Sequence, residues 1–327
     1  MMIGKAKFGH TFAALTGLFL IAASGTTVVE AQAAPDSFET IEIPHALGVT
    51  VLQDRPERVV ALDMNELDFL DQLGVPVVGL PKDFVPHFLS AYGEDPDVAD
   101  VGAIVKPNVE RIYGLKPDLV LMTALQAKHY EEITAFSPVL HYDIDYRQSG
   151  SDHIETVKKH AMTLGRIFGK EEVAAQKVAG LDARIEELRN IAQSRPERAL
   201  VIMHNNGAFS SFGAGSRYGF VFHALGVKPA NEAQETGLHG QPVTSEFIQA
   251  ADPDIIFIID RTSVMRRQPV LTAAEIENPL LKETKAWKSD RVVFVDPDAW
   301  YVTAASITPL EIIVAEVLAA YQKPVVR

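Results

Sequence analysis

The chain has 327 residues, 47% of them hydrophobic, enough for a large core or two lobes and too apolar for a disordered polymer. Its formal charge of −13 argues against nucleic acid as a partner, while clustered arginines could still set a local positive field for a small anionic ligand. It has no cysteine, which excludes disulfides and a lipid-modified cysteine.

Residues 1–33 read as a cleaved secretory signal peptide. Lys5 and Lys7 precede the apolar run Phe12 to Ala23, and Ala31-Gln32-Ala33 gives a small-x-small cleavage pattern. The run is short for a membrane span, and no later segment is apolar for long enough. Lys5, Lys7 and Glu30 contribute +1, so the remaining chain carries about −14. A soluble periplasmic protein is expected.

From residue 34 to 150, short apolar strands alternate with helical segments. Ile41 to Val51 reads as a hairpin and Arg58 to Leu62 as a strand. Asn65 to Leu73 reads as a helix closed by Gly74, followed by a strand from Val75 to Leu80. Val109 to Leu115 is a short helix capped by Asn108, and Pro117-Asp118 turns into the strand Leu119 to Met122. This alternation predicts a parallel sheet. Residues 151–195 carry apolar positions at helical spacing with no proline, and Ser151 or Asp152 can cap their start. They are expected to form a long, rigid connecting helix.

Residues 196–327 repeat the grammar of the first half. Pro196-Glu197-Arg198 before a strand echoes Pro56-Glu57-Arg58, and Leu225-Gly226-Val227 echoes Leu73-Gly74-Val75. Glu246-x-Ile248 followed by Pro253-Asp254 echoes Glu110-x-Ile112 followed by Pro117-Asp118, at the same separation. Pro-Asp before apolar residues is also ordinary turn chemistry, which accounts for one occurrence better than for matched pairs. The expected fold is α/β: two Rossmann-like lobes with central parallel sheets, joined by the connecting helix, with a ligand cleft between them.

Loops at the carboxyl ends of parallel strands would face that cleft. Here they offer Arg217 after a glycine-rich stretch, His239 between glycines, Arg261 at a strand end, Arg266 and Arg267 beyond it, Tyr301 beside Trp300, and Lys128 in the first half. Gly213-x-Gly215 with Gly219 misses the dinucleotide fingerprint by one residue. There is no Ser-His-Asp order and no nucleophile elbow, so an enzyme is not expected. An imidazole and a phenol without cysteine suit a hard or borderline metal such as Fe(III), with two protein ligands completing an iron already held by four ligand oxygens. Arginines would neutralise the anionic chelate.

The stretch Gly102-x-x-x-x-Pro107-x-x-Glu110-x-Ile112-x-x-Leu115-Lys116-Pro117-Asp118-Leu119-Val120 resembles the signature of class III periplasmic binding proteins, which serve ATP-driven importers of iron–siderophore complexes, vitamin B12 and haem. The resemblance covers essentially the whole chain after the signal peptide. It is closest to the subgroup for ferric catecholates with tetradentate siderophores. It implies His239 and Tyr301 as iron ligands. Arg217, Arg261, Lys128, Arg266, Arg267 and Trp300 would line the ligand site. Glu110 and Glu246 would dock on an ABC permease dimer in the inner membrane, although both also suit helix N-terminal turns. It further implies a monomer with no permanently bound cofactor, Fe(III) arriving only as part of the siderophore. Two departures stand out: Leu125 replaces the subgroup's first-lobe arginine, and Thr303-Ala304-Ala305-Ser306 replaces a glycine-rich turn. Haem or a corrinoid is the alternative ligand, and an exported nucleotide-using enzyme ranks last.

Overall fold

The computed structural model describes residues 38–142, 144, 152–231, 237 and 239–323. The expected signal peptide, the candidate cap Ser151, and Thr236 and Leu238 beside the loop histidine lie outside the described residues. No helix among the described residues is long and apolar enough to cross a membrane.

The first half opens with the antiparallel hairpin β1 (Ile41–His45) and β2 (Gly48–Leu52). The strands β3 (Val59–Ala61), β4 (Val77–Leu80), β5 (Ala99–Asp100), β8 (Leu119–Thr123) and β9 (Val139–Tyr142) then form a parallel sheet in the order β5-β4-β3-β8-β9. A small antiparallel pair, β6 (Gly102–Ala103) and β7 (Lys106–Pro107), sits apart from it. β3, β8 and β9 are buried along their whole length, as strands covered on both faces must be.

The second half contains β10 (Arg198–Asn205), β11 (Ala208–Phe212), β12 (Lys228–Pro229), β13 (Gln241–Val243), β14 (Ile255–Asp260) and β15 (Val292–Phe294), in the order β13-β11-β10-β14-β15, with β12 also pairing β10. Strands β3, β4, β8 and β9 correspond to β10, β12, β14 and β15, with parallel pairing throughout each set. The central strands are parallel as expected, and β11 and β13 extend the sheet at one edge, running antiparallel to their neighbours. The cause is local. Asn206 and Gly207 both take positive φ, 52° and 85°, and turn β10 straight into β11 as a hairpin. This part of the apparent glycine-rich loop is therefore a strand pair, not a phosphate cradle.

The duplicated motifs have a structural explanation. The helix Val109–Leu115 ends at Lys116 and the helix Ser245–Ala251 ends at Asp252, both in the left-handed region. Each then passes through proline to an aspartate. The Asp118 carboxylate accepts from the backbone N–H groups of Glu57 and Arg58, each at 2.8 Å, and its own N–H donates to the Arg58 carbonyl. The Asp254 carboxylate accepts from the Arg198 N–H at 2.9 Å, and its N–H donates back to the Arg198 carbonyl. Pro-Glu-Arg and Pro-Asp are thus the two ends of one clasp that registers β8 on β3 and β14 on β10.

The connecting segment also differs from expectation. It is two helices, His153–Phe168 and Glu171–Ser194, not one strut. Gly169 ends the first at φ 63°, and the second folds back on it. A Cβ at Gly165 would lie 2.7 Å from the Ala174 Cβ, and Lys158 pairs with Asp182 at 2.9 Å. One buried apolar cluster runs through the inner faces of both sheets, this helical hairpin and the last helix, Ile307–Gln322. The outer face of each sheet has a separate cluster.

The clasp is testable. Asp118→Ala and Asp254→Ala should each lower stability by about 1–2 kcal/mol, Asp118 by more because it satisfies two N–H groups. Urea unfolding measures this, and unchanged midpoints would contradict it.

Candidate functional site

Tyr301 lies in a short π-helical turn, Asp298–Thr303, directly after β15. Such turns are wider than an α-helix and often occur at functional positions. This one sends two adjacent aromatic residues in different directions. Trp300 is fully buried, with its ring stacked on Phe257 and its Nε1–H donating to Glu316 Oε2 at 2.7 Å. The expectation that Trp300 lines the ligand site is therefore corrected: its ring is core, because a large aromatic with a satisfied N–H is most stable there. Tyr301 is half-buried, with one cation at its hydroxyl and a second at its backbone carbonyl.

Arg261 donates from Nε to the Tyr301 hydroxyl at 2.7 Å and from Nη1 to Asn205 Oδ1 at 3.0 Å. Arg217 donates from Nη2 to the Tyr301 carbonyl at 3.3 Å. The two guanidinium carbons lie 5.4 Å and 5.8 Å from the Tyr301 ring centre. Three expected site residues thus form one cluster of two fixed positive charges around one phenol. Asp260, the last residue of β14, sets where Arg261 starts its helix, Arg261–Arg266. Its buried carboxylate caps Thr262, accepts from Leu271 N–H and meets His204 Nδ1 at 3.0 Å. Since His204 Nε2 accepts from the Gly207 N–H, the proton lies on Nδ1 and points at Asp260.

The remaining expected residues are more dispersed. His239 is exposed, in a turn just before β13, where Gly240 with φ 74° keeps the backbone against the Phe212 ring. Lys128 is exposed in the 3₁₀ turn Ala124–His129 after β8, beside the exposed Leu125. Arg266 and Arg267 are exposed at the end of their helix, and Arg267 reaches across to the Asp83 backbone carbonyl of the first lobe. Arg267 also lines a cavity of about 860 Å³ between the lobes, bounded by the loop from Lys82 to His87 on one side and by residues after β14 and β15 on the other. Arg217, Arg261 and Tyr301 are not on its wall, although Val302, next in the chain, is. The charged cluster, with its matched donors and acceptor, is the better candidate for the chemistry.

The lobes are fixed to each other beneath this site. The Asn65 side chain accepts from the Ala305 N–H at 2.9 Å, Asp68 accepts from the Thr308 N–H at 3.0 Å, and Tyr142 donates to the Ala305 carbonyl at 3.1 Å. Buried His153 meets the Ala304 carbonyl at 2.7 Å. Thr303 to Ser306, which replaces the glycine-rich turn of the resembled subgroup, is this seam, and Ala304 takes φ 67° there. Asn205 and Glu316 were not anticipated from sequence. Glu316 had a signal, as an acid within the apolar run of the last helix; Asn205 had none.

Residues 59–299 match the family model described as periplasmic binding protein. The chain is 57% identical over 282 residues to the ferric-anguibactin-binding protein FatB of Vibrio anguillarum, covering 86% of this chain and 88% of that one. It is 32% identical to the petrobactin-binding protein YclQ of Bacillus subtilis, covering 97% and 99%. Among solved structures, the siderophore-binding protein BauB, bound to a complex of two acinetobactin molecules and ferric iron, superposes with a TM-score of 0.84 at 57% identity. That match covers 88% of this chain and all of that one.

Glu316 joins the mount of Tyr301 to pH. Burial pushes its carboxyl up to about 7 from an ordinary 4.5, against the lowering pull of its bonds from Trp300 and the Asp296 N–H. The folded state therefore keeps a proton that the unfolded state releases. This contribution to stability is complete below about pH 4.5 and is lost as pH rises through about 7. Between these limits Glu316→Gln should show a flatter dependence of melting temperature on pH than the wild type. Superimposable slopes would contradict it.

Proposed function

This chain belongs to the periplasmic binding protein family, and we propose that it captures a ferric siderophore in the periplasm and delivers it to an ABC permease for iron uptake. It is a binding component, not an enzyme. The observation that carries the ligand class is the Arg217, Arg261 and Tyr301 cluster, in which a phenol oxygen and two guanidinium groups converge at the ends of second-lobe strands. Relatives of similar length are named for ferric-siderophore ligands, which supports the same class.

In the bound state, the chelate is anionic and iron keeps positions its ligand does not fill. Tyr301 gives up its phenol proton to solvent and supplies the phenolate oxygen to one of them, exchanging its bond from Arg261 for the metal. Ferric iron favours hard oxygen donors, so this exchange is chemically reasonable. His239, on the exposed turn before β13, supplies the second ligand. Arg217 and Arg261 then face the oxygens of the chelate. Planar guanidinium groups suit paired anionic oxygens better than an ammonium would. Lys128, Arg266 and Arg267 add positive charge at the rim, in place of the first-lobe arginine absent at Leu125. A catecholate is the class that fits this balance, with two cations close to the metal and further charge at the edge.

The test uses purified protein and a ferric tetradentate catecholate. The complex should show a visible charge-transfer band. Tyr301→Phe should shift that band and weaken binding by about tenfold or more, the scale of one lost charge-assisted contact. A band and an affinity both untouched by the change would contradict direct coordination.

Glu110 and Glu246 are exposed in the first turns of the two equivalent helices, one on each lobe. We read this duplicated pair as the permease contact of a monomeric binding protein. Reversing both, Glu110→Lys with Glu246→Lys, should abolish uptake in cells and leave the affinity for the ferric catecholate unchanged. Lost affinity, or normal uptake, would contradict this reading.

A further inference from the structure

A second cluster of metal-ligating groups lies away from Tyr301 and bridges the lobes. His87 opens a 3₁₀ turn of the first lobe, and its ring Nε2 lies 2.5 Å from Asp296 Oδ2. Its backbone N–H donates to Asp298 Oδ2 at 2.8 Å. One ligand atom from each of His87, Asp296 and Asp298 falls within 4.8 Å of the others.

The two carboxylates are held in advance. Asp296 Oδ1 accepts from the N–H groups of Asp298 and Ala299, at 2.9 and 3.0 Å, which leaves Oδ2 facing the imidazole. The Asp296 N–H is anchored on Glu316 at 2.8 Å, so the carboxylate stands on the same mount as the buried Trp300. The His87 side chain is 62% exposed and is the part able to swing. All three residues also line the cavity of about 860 Å³ between the lobes, which gives a bound ion room for water or a further ligand.

We propose that His87, Asp296 and Asp298 form a divalent transition-metal site, of the zinc class, that clips the first lobe to the second. One imidazole and two carboxylates suit a borderline divalent ion. A soft copper(I) ion would prefer sulfur, and calcium would prefer a shell of oxygens alone. Bonds to zinc are about 2.0–2.2 Å, so ligand atoms around it stand roughly 3.4 Å apart. The imidazole therefore retreats from Asp296 by about 1 Å to admit the ion. The ion replaces the hydrogen bond between the His87 imidazole and Asp296 with three coordinate bonds. This site is independent of the siderophore reading.

The test uses EDTA-treated full-length protein without siderophore. Zn(II) titration by calorimetry should show one saturable equivalent. Co(II) should give the visible d–d absorption of an imidazole-containing site. Zn(II) should raise the melting temperature of the wild type, as any ligand of the folded state does. His87→Gln and Asp296→Asn should each weaken metal binding by about tenfold or more and remove the thermal shift. Both variants keep their own melting temperature in EDTA as the check on folding. No saturable binding, or affinity unchanged in both variants, would overturn the proposal. So would binding that survives His87→Gln and is lost in His239→Ala.

Discussion

The hydrogen bond from Trp300 to Glu316 decides what the next residue can do. It ties the indole into the core through a carboxyl that burial pushes up to about 7, and it fixes the π-helical turn on which Tyr301 stands. With Trp300 held inward, Tyr301 presents its hydroxyl to Arg261 and its carbonyl to Arg217. The same carboxyl holds Asp296 through its backbone, so the tyrosine site and the acidic pair beside His87 share one foundation. A single half-buried acid thus positions two groups of polar side chains on the second lobe.

The lobes are built to stay together. They share an apolar cluster with the helical hairpin and the last helix, and the seam from Thr303 to Thr308 is stitched by Asn65, Asp68, Tyr142 and His153. Asp68 is pushed up to about 6 by burial, while burial pulls His153 down to about 4. Near neutral pH the seam therefore holds a largely ionised acid and a neutral imidazole. A ligand can bind between such lobes with small adjustments at the rim, because a continuous core resists wide hinge motion.

Much of this architecture was legible in the sequence because it rests on local chemistry. Pro-Glu-Arg and Pro-Asp, found twice, mark the clasps that register the central strands, and the structure shows both the backbone bonds and the left-handed helix ends that require them. Arg217, Arg261 and Tyr301 stand together because each follows a strand of the second lobe, where α/β folds gather their loops. Other features depended on reading local signals differently. Asn206-Gly207 is a strong hairpin signal that the neighbouring glycines obscured, and Gly169 ends a helix that apolar spacing alone would have continued. The burial of Trp300 and the reach of Arg267 to Asp83 depend on tertiary contacts that residue spacing does not encode.

In the proposed complex the Tyr301 oxygen becomes a ligand of iron. Resonance Raman spectroscopy of the ferric catecholate complex, excited in its charge-transfer band, tests this most directly. Protein grown with ring-deuterated tyrosine separates protein modes from those of the chelate. Enhanced tyrosinate vibrations that shift on deuteration and vanish in Tyr301→Phe are the predicted result. A spectrum containing catecholate modes alone, identical in labelled and unlabelled protein, would contradict it.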